Sequence, residues 1–150
     1  MIEKFFAFYK ENAKLVLKIF GIKMTFKYPL SNQLEDCCCI PELKRLLDNN
    51  VEFVHPVGVV ISKYAQIGKN CKIYQNVTIG DGKLNPTTNK KAPTIGDNVV
   101  IFANAVIIGG IKIGANCTIG AGSVVLKDIE DNCTVVGNPA RIIKKNGIPI

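Results

Sequence analysis

Few side chains in this chain can carry chemistry. His55 is its one histidine, and the one group type whose ordinary pKa lies close to neutrality. The six cysteines are Cys37, Cys38, Cys39, Cys71, Cys117 and Cys133. None forms a CxxC pair, and a single histidine gives a Cys/His zinc site little support, so no metal is expected. The adjacent Cys37, Cys38 and Cys39 cannot all point one way and read as reduced thiols of a cytoplasmic protein. Two polar clusters remain. Residues 81–94 combine three lysines with hydroxyl and amide side chains, and Asp81, Asn85 and Thr87 are their candidate substrate contacts. Near the end of the chain, Arg141, Lys144 and Lys145 concentrate positive charge. With a formal net charge of +7, the expected partners are anionic: nucleic acid, a membrane surface or a phosphorylated small molecule.

The element that must position these groups is a repeat. Aliphatic residues return every six positions at Ile61, Ile67, Ile73 and Ile79, then again at Ile95, Ile101, Ile107, Ile113, Ile119 and Val125. Four residues after most of them comes a slim side chain: Ala65, Cys71, Val77, Val99, Ala105, Cys117 or Ser123. A period of six fits neither a helix nor simple strand alternation. It predicts a parallel β-helix, a solenoid whose coils bury their apolar side against one another. Cys71 and Cys117 stand at the slim position and read as packing residues. Counting back by six from Ile61 puts His55 on the inward column, as a residue capping the first coil. The polar stretch 81–94, with one Gly and two Pro, reads as a loop thrown out from one coil.

The expected organisation is an N-terminal helical segment over 1–52, the β-helix over 53–143 and a basic tail over 144–150. Residues 1–23 read as an amphipathic helix, with Phe5, Phe8 or Tyr9, Val16 and Phe20 on one face and Lys10, Lys14 and Lys18 on another. Such a helix packs on the solenoid or on a neighbouring subunit; the alternative is peripheral contact with an anionic membrane. A second short helix is expected from Pro41 to about Asp48, closed by Asn49-Asn50. No secretory signal is visible, and no uncharged run approaches the ~20 residues that span a bilayer.

Several stretches resemble the hexapeptide-repeat acyltransferases, and within them the serine acetyltransferase-like branch. They are His55-Pro56-Val57-Gly58-Val59-Val60-Ile61, Ile73 to Gly80 (which includes Gln75-Asn76), Pro93 to Val99, Ile119 to Lys127, and Val136-Gly137-Asn138-Pro139-Ala140-Arg141. The resemblance covers about residues 54–145. It implies a left-handed β-helix, a homotrimer with active sites between adjacent prisms, acetyl-CoA as cosubstrate, and a hydroxyl or amine acceptor. It implies that His55 is the general base. An alcohol is a poor nucleophile until its proton is removed, and an imidazole can take that proton at neutral pH. It further implies that Gly80, Ala103, Ala121, Lys127 and Lys144 hold the cosubstrate. Small side chains leave a smooth groove for its arm, while Arg141, Lys144 and Lys145 suit its phosphates.

The chain departs from serine acetyltransferases at two points. They carry an aspartate just before this histidine, where Val54 stands here, and a second histidine where Ala92 stands here. Another partner would have to orient His55: Glu52, Asp81 or a backbone carbonyl. The abbreviated pattern resembles acetyltransferases that modify sugars of cell-surface polysaccharides, and a sugar hydroxyl is the expected acceptor. L-Serine is the alternative, and a non-catalytic β-helix scaffold is a third reading. Nucleic-acid binding has only net charge in its favour, without a stacking platform or recognition helix.

Overall fold

The computed structural model describes residues 7–11, 14–19, 22–26, 40, 43–55 and 57–150. Its first elements are the strands β1 (Ala7–Glu11), β2 (Lys14–Ile19) and β3 (Ile22–Phe26). They pair antiparallel in the order β1-β2-β3, with Glu11 opposite Lys14 and Ile19 opposite Ile22. The amphipathic helix expected over 1–23 is therefore corrected. Lysines four apart at 10, 14 and 18 suit one face of a helix, but four is also even, so the same spacing is compatible with strands; Lys10 falls in β1, and Lys14 and Lys18 in β2. β-Branched Val16, Ile19, Ile22 and Thr25 favour the strand. Phe5, Phe20 and Cys37 to Cys39 lie outside the described residues.

The second helix, α1, runs Leu43–Asp48. Asn50 ends it in the left-handed conformation at φ 57°. The Val51 amide donates to Leu46 O (2.9 Å) and the Asn50 amide to Leu47 O (2.9 Å). This is a Schellman cap, and its apolar partners Leu46 and Val51 are both buried. The Arg45 guanidinium donates to Ala65 O (3.1 Å) and the Asn49 amide side chain to Ile67 O (3.1 Å), so α1 closes the first end of the coil stack.

The repeat then builds a prism of short parallel strands. They are β4 (Glu52–Phe53), β5 (Val60–Ile61), β6 (Gln66–Ile67), β7 (Lys72–Ile73), β8 (Thr78–Gly80), β9 (Thr94–Ile95), β10 (Val100–Ile101), β11 (Val106–Ile108), β12 (Lys112–Ile113), β13 (Thr118–Ile119), β14 (Val124–Val125) and β15 (Cys133–Val136). The chain finishes with β16 (Arg141–Lys145) and β17 (Ile148–Pro149). Three faces result. A long face runs β17-β16-β15-β13-β10-β7-β4, a middle face β14-β11-β8-β5 and a short face β12-β9-β6. Only β16 and β17 run antiparallel, folding back over the end of the long face. The boundary expected at 143/144 falls inside β16.

Pairing gives the coil length. Ile101 pairs with Ile119, eighteen residues on, which is three hexads. Ile73, Ile79, Ile101, Ile107, Ile113 and Ile119 are all fully buried. Each stabilises the stack by roughly 1.5–3 kcal/mol. Three coils depart from eighteen. Ile73 pairs with Ile101, twenty-eight on, so ten residues are inserted between them. Ile113 bridges to Ile129, sixteen on, which leaves the last coil two residues short. Phe53 pairs with Ile73, twenty on, so the first coil carries two extra residues.

Asparagine turns the corners. Asn70, Asn98, Asn116 and Asn132 all have φ of 56–58°, where asparagine is tolerated better than other non-glycine residues. Their side chains form a ladder along the edge between the short and long faces. Asn50 donates to Asn70 (2.9 Å), Asn70 to Asn98 (3.4 Å), Asn98 to Asn116 (3.1 Å) and Asn116 to Asn132 (3.0 Å).

Candidate active site

His55 is not on the inward column. That column passes through Phe53 and Ile61, eight residues apart where other hexads have six. The two extra positions fall between Val54 and Val57, so His55 is looped out of the coil. The His55 side chain is exposed, and it forms no hydrogen bond with any described residue. The Val57 amide donates to the His55 carbonyl (2.7 Å), a tight turn that closes the bulge. The expectation of an inward, capping histidine is thus corrected: extrapolation by six ran through a bulge.

The bulge opens onto the corner between the long and middle faces. There the Asn76 amide donates to Val57 O (2.8 Å), the Asn104 amide to Gln75 O (3.1 Å) and the Gly122 amide to Ala103 O (2.9 Å). These bonds stack Val57, Gln75, Ala103 and Ala121 in successive coils. Neighbouring coils lie ~4.8 Å apart, so the column from Val57 to Ala121 is ~14 Å long. Ala103 and Ala121 leave it unobstructed. Tyr74 and Phe102 flank it with ring centroids 5.0 Å apart. At its far end the Gly137 amide donates to the buried Ser123 hydroxyl oxygen (3.2 Å), and the Ala140 amide to Val124 O (2.9 Å).

The other expected cosubstrate contacts lie elsewhere. Gly80 pairs with Ile108 at the opposite edge of the middle face. Lys127 stands two residues past Val125, which pairs with Ile107 on that same edge. One prism therefore does not bring Gly80 and Lys127 together with Ala103 and Ala121. The tail also divides. Arg141 pairs with Val136 beside the corner column, Lys144 with Thr134, and Lys145 with Cys133 at the far side of the long face. Four residues of strand separate Arg141 from Lys145, about 14 Å. Lys145 is ion-paired with Glu130, whose hydrogen bond raises the pKa of the Lys145 ammonium.

The loop of residues 81–94 is a hairpin docked on the prism. The Gly82 amide donates to Lys91 O (2.9 Å), and Asn85 bridges antiparallel to Lys90. The Asn85 side chain is occupied within this structure. Its Oδ1 accepts from the Thr87 (2.9 Å) and Thr88 (3.2 Å) amides, and its Nδ2 donates to Gly110 O (2.9 Å). Lys90 Nζ reaches Gln66 Oε1 (2.8 Å) and Thr94 Oγ1 (3.2 Å). Asp81 accepts a hydrogen bond from the Ser62 hydroxyl, and Thr87 is exposed. A cavity of about 500 Å³ separates Leu84 and Pro86 of the hairpin from Ile108, Ile111 and Leu126 of the coils, with Lys83 at its rim.

Sequence reasoning gave Gln75 no role. Its Oε1 is the one buried side-chain polar atom among the described residues that lacks a hydrogen-bond partner. Among the described residues no group of three or more His, Cys, Asp or Glu side chains could hold a metal, and no helix is long and apolar enough to cross a membrane.

Residues 92–127 match the family described as bacterial transferase hexapeptide (six repeats). The coils of that stretch carry the six-residue repeat of this family. The chain is 48% identical over 97 residues to a serine acetyltransferase of Synechococcus elongatus, covering 64% of this chain and 38% of that protein. A Staphylococcus aureus serine acetyltransferase is 47% identical over 97 residues, covering 64% and 44%. Among solved structures, serine acetyltransferase from Neisseria gonorrhoeae aligns with a TM-score of 0.58 at 41% identity, covering 63% of this chain and 36% of that one. The chain thus spans less than half the length of the relatives it matches. All of these relatives are named serine acetyltransferases, and none is named for a sugar acceptor.

Proposed function

We propose that the hexapeptide domain is the catalytic part of an acetyl-CoA-dependent O-acetyltransferase whose acceptor is the hydroxyl of L-serine. The observation that carries this is the placement of His55, exposed on a bulge at the head of a corner column kept open by Ala103 and Ala121. Relatives add support. They are serine acetyltransferases, and solved examples include one complexed with serine (TM-score 0.57) and one with CoA (TM-score 0.55).

Acetyl-CoA supplies the activated acyl group, a thioester. The His55 imidazole takes the hydroxyl proton as the acceptor oxygen forms its bond to the acyl carbon. As the C–S bond breaks, the same imidazole returns that proton to the leaving thiolate. General-base assistance of this kind contributes typically 10²–10⁴-fold. The thioester arm lies along the column over Ala103 and Ala121, with Arg141 and Lys144 toward its phosphates. Gly80 and Lys127 come from the neighbouring prism, since they occupy the other edge of the middle face. That division of contacts fits a homotrimer with sites between subunits. The outer surface of the middle face, with Val60, Val106 and Val124, is apolar enough to sit against a second copy.

A sugar hydroxyl is the second reading. It is favoured by Val54, half-buried and without a carboxylate, and by Ala92, only 3% exposed, where serine acetyltransferases carry aspartate and histidine. Release of free CoA thiol, measured with L-serine and with a panel of sugars, separates the two. Thiol release with L-serine that falls by roughly 10²–10⁴ in His55→Ala supports the proposal. Turnover that survives this substitution refutes it.

A further inference from the structure

A general base needs more than a basic nitrogen. A neutral imidazole carries its proton on one nitrogen and is bare on the other. Only the bare nitrogen can take a proton, so the N–H must be held on the opposite side by an acceptor. Among the described residues near the bulge the usual acceptor types are missing or engaged. Val54 offers no carboxylate. Glu52 lies on the long face in an ion pair with Lys72 at 2.9 Å. Asp81 lies beside Gly80 on the edge that the neighbouring prism would supply, and there its carboxylate is engaged by the Ser62 hydroxyl.

Among the described residues of the corner column one acceptor is unengaged. Gln75 follows Val57 in the corner column, one coil along from the His55 bulge. Its backbone is fixed on both sides: the Asn76 amide bonds to Val57 O and the Asn104 amide to Gln75 O. Its side-chain Oε1 is buried and unpartnered. Leaving a buried acceptor unmade costs more than a typical hydrogen bond returns, so such an atom calls for an explanation. We propose that Gln75 is the positioning residue for His55: the Gln75 side-chain carbonyl accepts the imidazole N–H and fixes the tautomer that leaves the other ring nitrogen bare toward the acceptor. An amide oxygen takes the place of a carboxylate. Being neutral, it orients the ring without holding it in the charged form. This assignment rests on the reading of His55 as general base.

The single histidine makes the test direct. In the intact protein labelled with ¹⁵N, the ring nitrogens of His55 report the tautomer without ambiguity. The expected result is one predominant tautomer near neutral pH, replaced in Gln75→Leu by a mixture. In Gln75→Glu the ring pKa should rise by roughly one unit, because an opposite charge favours the protonated imidazole. Kinetically, Gln75→Leu should lose about tenfold or more in kcat, within the range a general base supplies, with KM for acetyl-CoA unchanged. Gln75→Glu should retain most of kcat, with the acid limb of its pH profile moved up. A tautomer mixture in the unaltered protein overturns the proposal even if no variant folds. So does an unchanged ring pKa in Gln75→Glu. Failure of the proposed activity appears separately, as turnover that survives His55→Ala while the tautomer remains fixed.

Discussion

Gly110 should be the residue on which the 81–91 hairpin depends. A Cβ built there would lie 1.9 Å from Lys90 O, 2.7 Å from Lys90 C and 2.9 Å from the Asn85 side chain. Carbon and oxygen need about 3.5 Å, so Gly110→Ala must push the hairpin out by about 1.5 Å. The backbone of Lys90 cannot swing aside as the end of a flexible side chain would. The displacement breaks the Asn85 Nδ2 bond to Gly110 O (2.9 Å) and the Gly110 amide bond to Lys83 O (3.3 Å). At about 1 kcal/mol each, the docked hairpin loses about 2 kcal/mol. Tenfold corresponds to about 1.4 kcal/mol, so amide exchange at Gly82 and Asn85 should quicken by about thirtyfold. The coils should keep their protection, because the hairpin is an insertion outside the column of fully buried isoleucines from Ile101 to Ile119. Hydrogen exchange followed residue by residue reads both effects in one experiment. Unchanged exchange at Gly82 and Asn85 refutes the docking argument. Equal loss of protection at Ile101 and Ile119 refutes the claim that the hairpin is energetically separate.

Other outcomes follow from the same geometry. Ile113→Asp places an uncompensated charge at a fully buried position and should cost more than about 4 kcal/mol, read as loss of the cooperative thermal transition. Burial pushes the Cys71 and Cys117 thiols above their ordinary pKa. Above that ordinary value the unfolded chain binds fewer protons than the folded one, so stability should fall as pH rises into the alkaline range, and Cys71→Ala should flatten that fall in a series of thermal melts. Arg141→Ala should raise KM for acetyl-CoA, whereas Lys145→Ala should leave it unchanged, since Lys145 is engaged with Glu130 away from the corner column.

The prism was legible in the sequence because burial repeats. Each aliphatic of the six-residue period must face the same core, so ten positions from Ile61 to Val125 announced themselves together. The candidate site was legible only in part, and the reason is physical. His55 lies in a two-residue bulge, and a bulge leaves no periodic trace, so counting by six drove the ring into the core. Asn85 carries the amide chemistry of a substrate contact, yet a short loop uses that amide to hold its own backbone. Lys145 seemed one of three equivalent cations. Strand β16 crosses the long face, however, and carries Lys145 away from Arg141 to an ion pair with Glu130. Gln75 was visible only as one letter of a motif, since an unpaired oxygen is a property of packing.

The asparagine ladder also bears on how such a chain can lengthen or shorten. Every rung donates in the same sense, from Asn50 through Asn70, Asn98 and Asn116 to Asn132. Each coil therefore arrives with one donor and one acceptor, like a monomer with complementary ends. Excising eighteen residues, such as 98–115, would bring the donor of Asn70 to the acceptor of Asn116 and leave every face aligned. Excising six would turn the remainder by one face and set an asparagine edge against a different corner. Deletions or duplications that keep the ladder in register therefore come in whole coils, while other insertions must loop out as the 81–91 hairpin does, and the length of the groove along its corner changes in whole-coil steps.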